Sequence, residues 1–210
     1  TDPLFLGPLY EREHLDDDVR SLVCMSAALT RFDLEGFGDL TKEALRRGLP
    51  ESAVRECCLQ GVAYAGFPRA VAALFAIADL LGPAPEQSGM FDRTDTLADG
   101  TDYFRGVYGD HSDTLLEKIQ ALDPNFSDLV IRGAYGRVLS RPQLAPMQRA
   151  LMGVGSLCVL GQRPQLFAHA AWALRYVPTV QPCLQSVPCV ELPYPDNRRP
   201  GWPEAPTSFL

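Results

Sequence analysis

Residues 44–74 read ALRRGLPESAVRECCLQGVAYAGFPRAVAAL, and the punctuation of this stretch decides the fold. Basic residues and Gly48 close one helix, and Pro50 and Glu51 suit the first turn of the next. The chain then runs apolar to Gly66. Pro68 stands where a first helical turn tolerates a missing N–H, and a further apolar helix reaches Gly82. The motif Tyr64–Pro68, Y-A-G-F-P, therefore reads as a joint between helices. Ala65 and Gly66 permit close backbone approach, Gly66 helps end one helix, and Pro68 begins the other.

Outward from this joint the signals stay helical. Residues 16–30 open on Asp16, Asp17 and Asp18, which complement the positive end of a helix, and continue with Leu22, Val23, Met25, Ala28 and Leu29 as a broad apolar face. FGDLTKEALRRG, 37–48, supplies another helix. Residues 83–102, rich in Pro, Gly, Asp, Ser and Thr, read as a linker. Helical patterns resume over 103–109, 111–122, 125–140, 144–161 and 163–177. Residues 178–210 contain eight prolines and read as an extended tail. No alternating strand pattern of useful length occurs, so the expected class is all-α. An offset of 129 residues places Leu15, Arg20 and Leu22 on Leu144, Arg149 and Leu151, and Ala44, Leu45 and Arg46 on Ala173, Leu174 and Arg175. A duplicated helical hairpin is the simplest account.

The 210 residues can bury a substantial core. The net charge of −7 argues against non-specific nucleic-acid binding, which needs a basic surface. No apolar run approaches the roughly 18 residues of a membrane span, and the N-terminal stretch lacks the pattern of a signal peptide. A cytoplasmic location is expected. Of six cysteines, Cys24, Cys57, Cys58, Cys158, Cys183 and Cys189, none forms a C-x-x-C pair. Most lie among Ala, Leu and Val and read as reduced core residues, although Cys183 and Cys189 could pair. Neither a metal site nor a cofactor is expected.

His169, in LFAHAAWALR (166–175), is the candidate for chemistry. Its ordinary pKa near 6.5 lets it move protons near neutrality. Its helical neighbours Leu166, Trp172 and Ala173 are apolar, which suits a lined pocket and equally suits a structural histidine bonded to a backbone carbonyl. His14 and His111 sit among carboxylates and read as solvated. Arg198, Arg199 and Trp202 could grip a neighbouring subunit.

The 44–74 stretch, with its Y-A-G-F-P closure, resembles the carboxymuconolactone decarboxylase family. Residues 135–175, a YG-rich helix followed by an R-x-L helix and a histidine-bearing helix, resemble that family's opening. The resemblance implies an all-α, alkylhydroperoxidase D-like fold of two repeats, 12–82 and 103–177, the second truncated. It also implies assembly into homo-trimers or hexamers, and either decarboxylation of lactone acids or thiol-dependent peroxide reduction. If His169 takes the family's histidine position, the two cysteine positions fall on Gln162 and Gln165 and the glutamate position on Ala150. The usual thiol route is then closed. What remains is a lyase acting on a small lactone or keto acid, with His169 as proton donor and Arg149 and Gln165 as substrate-binding candidates. The alternative is a non-catalytic binding or assembly protein on the same fold. The expected partners are a small organic acid and further copies of the chain, with no nucleic acid and no membrane.

Overall fold

The structure is a computed structural model and describes residues 15–83 and 96–174. The helices are α1 (Asp17–Arg31), α2 (Leu34–Arg46), α3 (Glu51–Ala76), α4 (Thr96–Tyr108), α5 (Ser112–Leu122), α6 (Pro124–Asp128), α7 (Pro146–Leu160) and α8 (Arg163–Leu174). A π-helical segment, Leu129–Leu139, precedes α7. Short 3-10 turns follow α3 and α4. Among the described residues there is no strand, and the all-α class expected from the sequence is the one observed. The readings made for the tail, for Cys183 and Cys189, and for Arg198, Arg199 and Trp202 lie outside the described residues.

α1 and α7 form the central pair. α1 buries eleven of its fifteen residues, and α7 buries every position from Arg149 to Leu157. Helices so enclosed need apolar residues on most sides, and both have them. Leu22, Met25, Leu29 and Met152 face one core cluster, with Phe37, Leu40, Val54, Cys57 and Ile77. Val19, Val23, Leu151 and Val154 face a second, with Phe104, Ile131, Tyr135 and Trp172. A hydrogen bond from Thr30 Oγ1 to Ser156 Oγ, 3.0 Å, ties the pair near one end.

The offset seen in the sequence recurs in the helix bounds. α1 and α7 begin and end 129 residues apart, and α2 and α8 begin at the same offset. α1 ends with Phe32 at φ 67° and α7 with Gly161 at φ 66°. At each end the next N–H reaches back to a carbonyl, Asp33 to Ala28 and Gln162 to Leu157. These are Schellman-type stops. The Y-A-G-F-P joint is as expected: α3 breaks at Gly66 (φ 77°, ψ 166°), and Pro68 lies in the first turn beyond the break.

Two readings are corrected. The expected linker 83–102 is helical from Thr96 onward. Gly100, which looked like a loop residue, sits inside α4 because the π-helical segment crosses there. A Cβ on Gly100 would stand 2.1 Å from the carbonyl oxygen of Ile131, and one on Gly136 would stand 2.0 Å from that of Thr96. Only bare backbone admits so close a crossing. A truncated second repeat would also leave Phe167, Ala170, Trp172 and Val177 partly uncovered. Phe167 is half-buried, whereas Ala170 and Trp172 are buried, with Tyr103 of α4 edge-on to Trp172 at 5.1 Å between ring centroids. Val177 lies outside the described residues.

Candidate functional site

Three helices meet at His169. α8 carries it, α7 faces it with Gly153, and α3 brings Tyr64, the first residue of the Y-A-G-F-P joint. His169 is only 3% exposed. Its ring lies edge-on to Tyr64 at 6.0 Å and edge-on to Trp172 at 6.0 Å. A Cβ built on Gly153 would stand 2.7 Å from Tyr64 Oη and 2.9 Å from His169 Nδ1. Both polar atoms thus converge on the same patch of bare backbone. Both are enclosed, and neither has a hydrogen-bond partner among the described residues.

Burial sets the protonation of this pair. Desolvation lowers the His169 pKa from 6.5 to about 4, so its ring is neutral near pH 7. Desolvation pushes the Tyr64 phenol well above its ordinary range, with smaller contributions from Tyr103 and Tyr108, so it remains a hydrogen-bond donor.

Arg149 and Gln165 do not join this pair. Arg149 is 1% exposed and faces Glu56 of α3. Its Nη2 donates to Glu56 Oε2 at 2.8 Å and to the Arg141 carbonyl at 2.9 Å. Its Nε donates to the same carbonyl, and Nη1 to Gln60 Oε1 at 3.2 Å. Gln60 in turn donates to the Arg149 carbonyl at 2.9 Å. Arg141 closes the network, its Nε donating to Glu56 at 2.8 Å. The guanidinium fastens α7 to α3. Gln165 is exposed, as is Gln162, while Ala150 is buried.

Sequence reasoning missed Glu56 and Tyr64. Glu56 carried one signal, a lone carboxylate inside the apolar run of residues 53–65. A charge in that position must find a partner when the helix is buried. Tyr64 was visible in the motif but was read only as part of the joint.

Cys57 and Cys58 are buried among the residues of the first core cluster. Burial pushes the Cys57 thiol up to about 12, against a smaller opposing effect of Ser26, and raises that of Cys58 further. His111 is exposed, in keeping with its reading as solvated. An open cleft of about 300 Å³ lies beside the site, lined by Asp99, Asp102, Tyr103, Gly106, Ser140, Pro146 and Trp172. Trp172 thus faces both this cleft and His169.

No described helix is long and apolar enough to cross a membrane. A curated relative, Peroxisomal protein 2 of Schizosaccharomyces pombe (strain 972 / ATCC 24843), is 28% identical over 177 residues, covering 80% of this chain and 79% of the relative. Tyr64 and Glu56 lie in the part of the chain that a family model matches, and His169 lies beyond it: residues 4–79 match the carboxymuconolactone decarboxylase family.

Proposed function

We propose that this protein is a carboxymuconolactone-decarboxylase-like lyase whose proton-transferring residue is His169, acting on a small lactone or keto acid. The observation that carries the reading is the enclosed, unpartnered Nδ1 of His169 facing an equally unpartnered tyrosine hydroxyl.

Loss of CO₂ from a keto acid breaks one C–C bond and leaves its electron pair conjugated with the adjacent carbonyl. One proton must then be added. His169 is neutral near pH 7, so it holds no stored proton and relays one taken from the reacting acid or from water. Arg149 is left out of this reading because its guanidinium is held by Glu56, Gln60 and the Arg141 carbonyl.

That same engagement of Arg149 favours the second reading, a non-catalytic binding or assembly protein, since no cation is presented to a substrate carboxylate. Two-repeat organisation, with the second repeat truncated, and closure into a homo-trimer belong to the proposal. So does a cytoplasmic location, which fractionation against peroxisomal and cytosolic markers tests.

The test of activity is CO₂ release from a panel of small lactone acids and β-keto acids. The expected result is turnover that falls by about 100-fold or more in His169→Gln, the scale of general acid–base catalysis, with helicity retained. Turnover untouched by that change removes His169 from the chemistry. No CO₂ from any member of the panel supports the binding reading.

A further inference from the structure

Tyr64 Oη and His169 Nδ1 are orphaned in the same place. They come from α3 and α8, their ring planes stand 74° apart, and both atoms look at the backbone of Gly153 on α7. Buried polar atoms are nearly always hydrogen-bonded, so two that share one focus point to a partner from outside the chain.

We propose that Tyr64 and His169 bind one uncharged oxygen, a hydroxyl or carbonyl, of a small and mostly apolar molecule seated against Gly153. This rests on the proposed placement of the site at His169, and not on its turning anything over.

The chemistry on the page selects that ligand class. A phenol that stays protonated donates a hydrogen bond, and a neutral imidazole nitrogen can donate or accept one. A carbonyl can accept from both groups. A hydroxyl can accept from Tyr64 and donate to His169. A carboxylate placed on these two atoms would be desolvated without a counter-ion, because Arg149 is already engaged by Glu56, so an acid substrate would present its keto or lactone oxygen here. Water alone is a poorer fit. Buried waters commonly make about three hydrogen bonds, and this focus offers two polar atoms beside the indole of Trp172. Glycine at 153 is part of the site, since a side chain there would stand within 3 Å of both polar atoms and displace them.

The experiment is a titration of the ¹⁵N-histidine-labelled full chain, reading the ring nitrogens of His169 by long-range ¹H–¹⁵N correlation. His169→Gln provides the assignment. The probes are cyclohexanone, cyclohexanol and cyclohexanecarboxylate, matched in size and differing in charge. Saturable shifts of the His169 nitrogens are expected with the two neutral probes, with the carboxylate at least about tenfold weaker. Tyr64→Phe should weaken the neutral probes about threefold to tenfold, the worth of one hydrogen bond, without lowering the melting temperature. Gly153→Ala should remove the shifts while helicity is retained. The proposal is overturned if millimolar neutral probe leaves the nitrogens unmoved, which is the outcome for a site holding water only. It is also overturned if the carboxylate binds as well as the ketone, or if Tyr64→Phe binds normally. Marked destabilisation by Tyr64→Phe has the same force, because it would mean that the hydroxyl is already partnered within the fold. Shifts without CO₂ release would keep the clamp and remove the lyase reading, while CO₂ release without shifts would do the reverse.

Discussion

At the scale of single residues, burial decides what each ionisable group can do. Arg149 and Glu56 are 1% and 3% exposed and answer each other across α7 and α3. Arg149→Ala would leave Glu56 enclosed with Arg141 as its remaining cation, and removing one partner of a buried pair commonly costs about 3–5 kcal/mol. Denaturant melts should show a loss of that order. A substrate-binding arginine would instead alter ligand affinity and leave the melt nearly unchanged. His169 behaves differently because it is buried neutral. Its folded pKa, about 4, lies below the value of 6.5 for the unfolded chain, so acid favours the unfolded state. Its contribution is full above about pH 6.5 and is lost as pH falls toward 4, by on the order of 3 kcal/mol. Desolvation is the cause of that shift, so His169→Gln should flatten the stability profile over this window. An equally steep profile in that variant would show that other groups set it. The protonated thiols of Cys57 and Cys58 make a third expectation. Peroxide consumption that survives catalase controls and vanishes on changing one cysteine would contradict it.

At the scale of elements, helix ends were the most legible feature, because they are written in local chemistry. The three aspartates that open α1, Gly66 with Pro68, and Gly161 after α7 each mark a boundary through local chemistry that needs no knowledge of the rest of the fold. Gly100 misled for the opposite reason. Its smallness, with that of Gly136, serves a crossing between α4 and the π-helical segment, a relation between distant stretches of chain. Histidine 169 could be singled out from sequence because a titratable ring stands out in an apolar helix. Its partner could not, since Tyr64 lies 105 positions earlier and only tertiary packing brings the two together. The crossing itself is testable. Gly100→Ala would put a methyl group 2.1 Å from a backbone carbonyl that cannot rotate aside. The helices must separate, and we expect a loss of at least about 2 kcal/mol, or several degrees in Tm. Gly38→Ala, with nothing within 4 Å of the added carbon, is the matched control and should melt close to the parent. Equal melting of the two variants would mean that the crossing is looser than described.

At the scale of the whole molecule, the surface carries an apolar stripe where the sequence did not place one. Beyond the break at Gly66, the end of α3 exposes Phe67 (71%), Val71 (48%), Leu74 (42%) and Phe75 (76%). Their spacing puts them on one helical face. Phe32, half exposed at the end of α1, lies under the guanidinium of Arg69 at 5.8 Å and extends the same region. Trp172 of α8 is covered by α4, so that helix offers no comparable surface there. Large aromatic residues clustered on one exposed face, as on α3, commonly mark an interface. Three copies of the stripe meeting on a threefold axis would cover one another without leaving an open end, which is the closed arrangement of the proposed trimer. Sedimentation equilibrium at tens of micromolar should therefore give a mass three times that of the chain. Phe67→Glu with Phe75→Glu should shift that mass toward one chain while helicity is retained, since both side chains already stand outside the core and their replacement opens no cavity. A parent protein that sediments as a monomer would sink the trimer. A double variant that still assembles would move the interface off α3 and leave the stripe for some other partner.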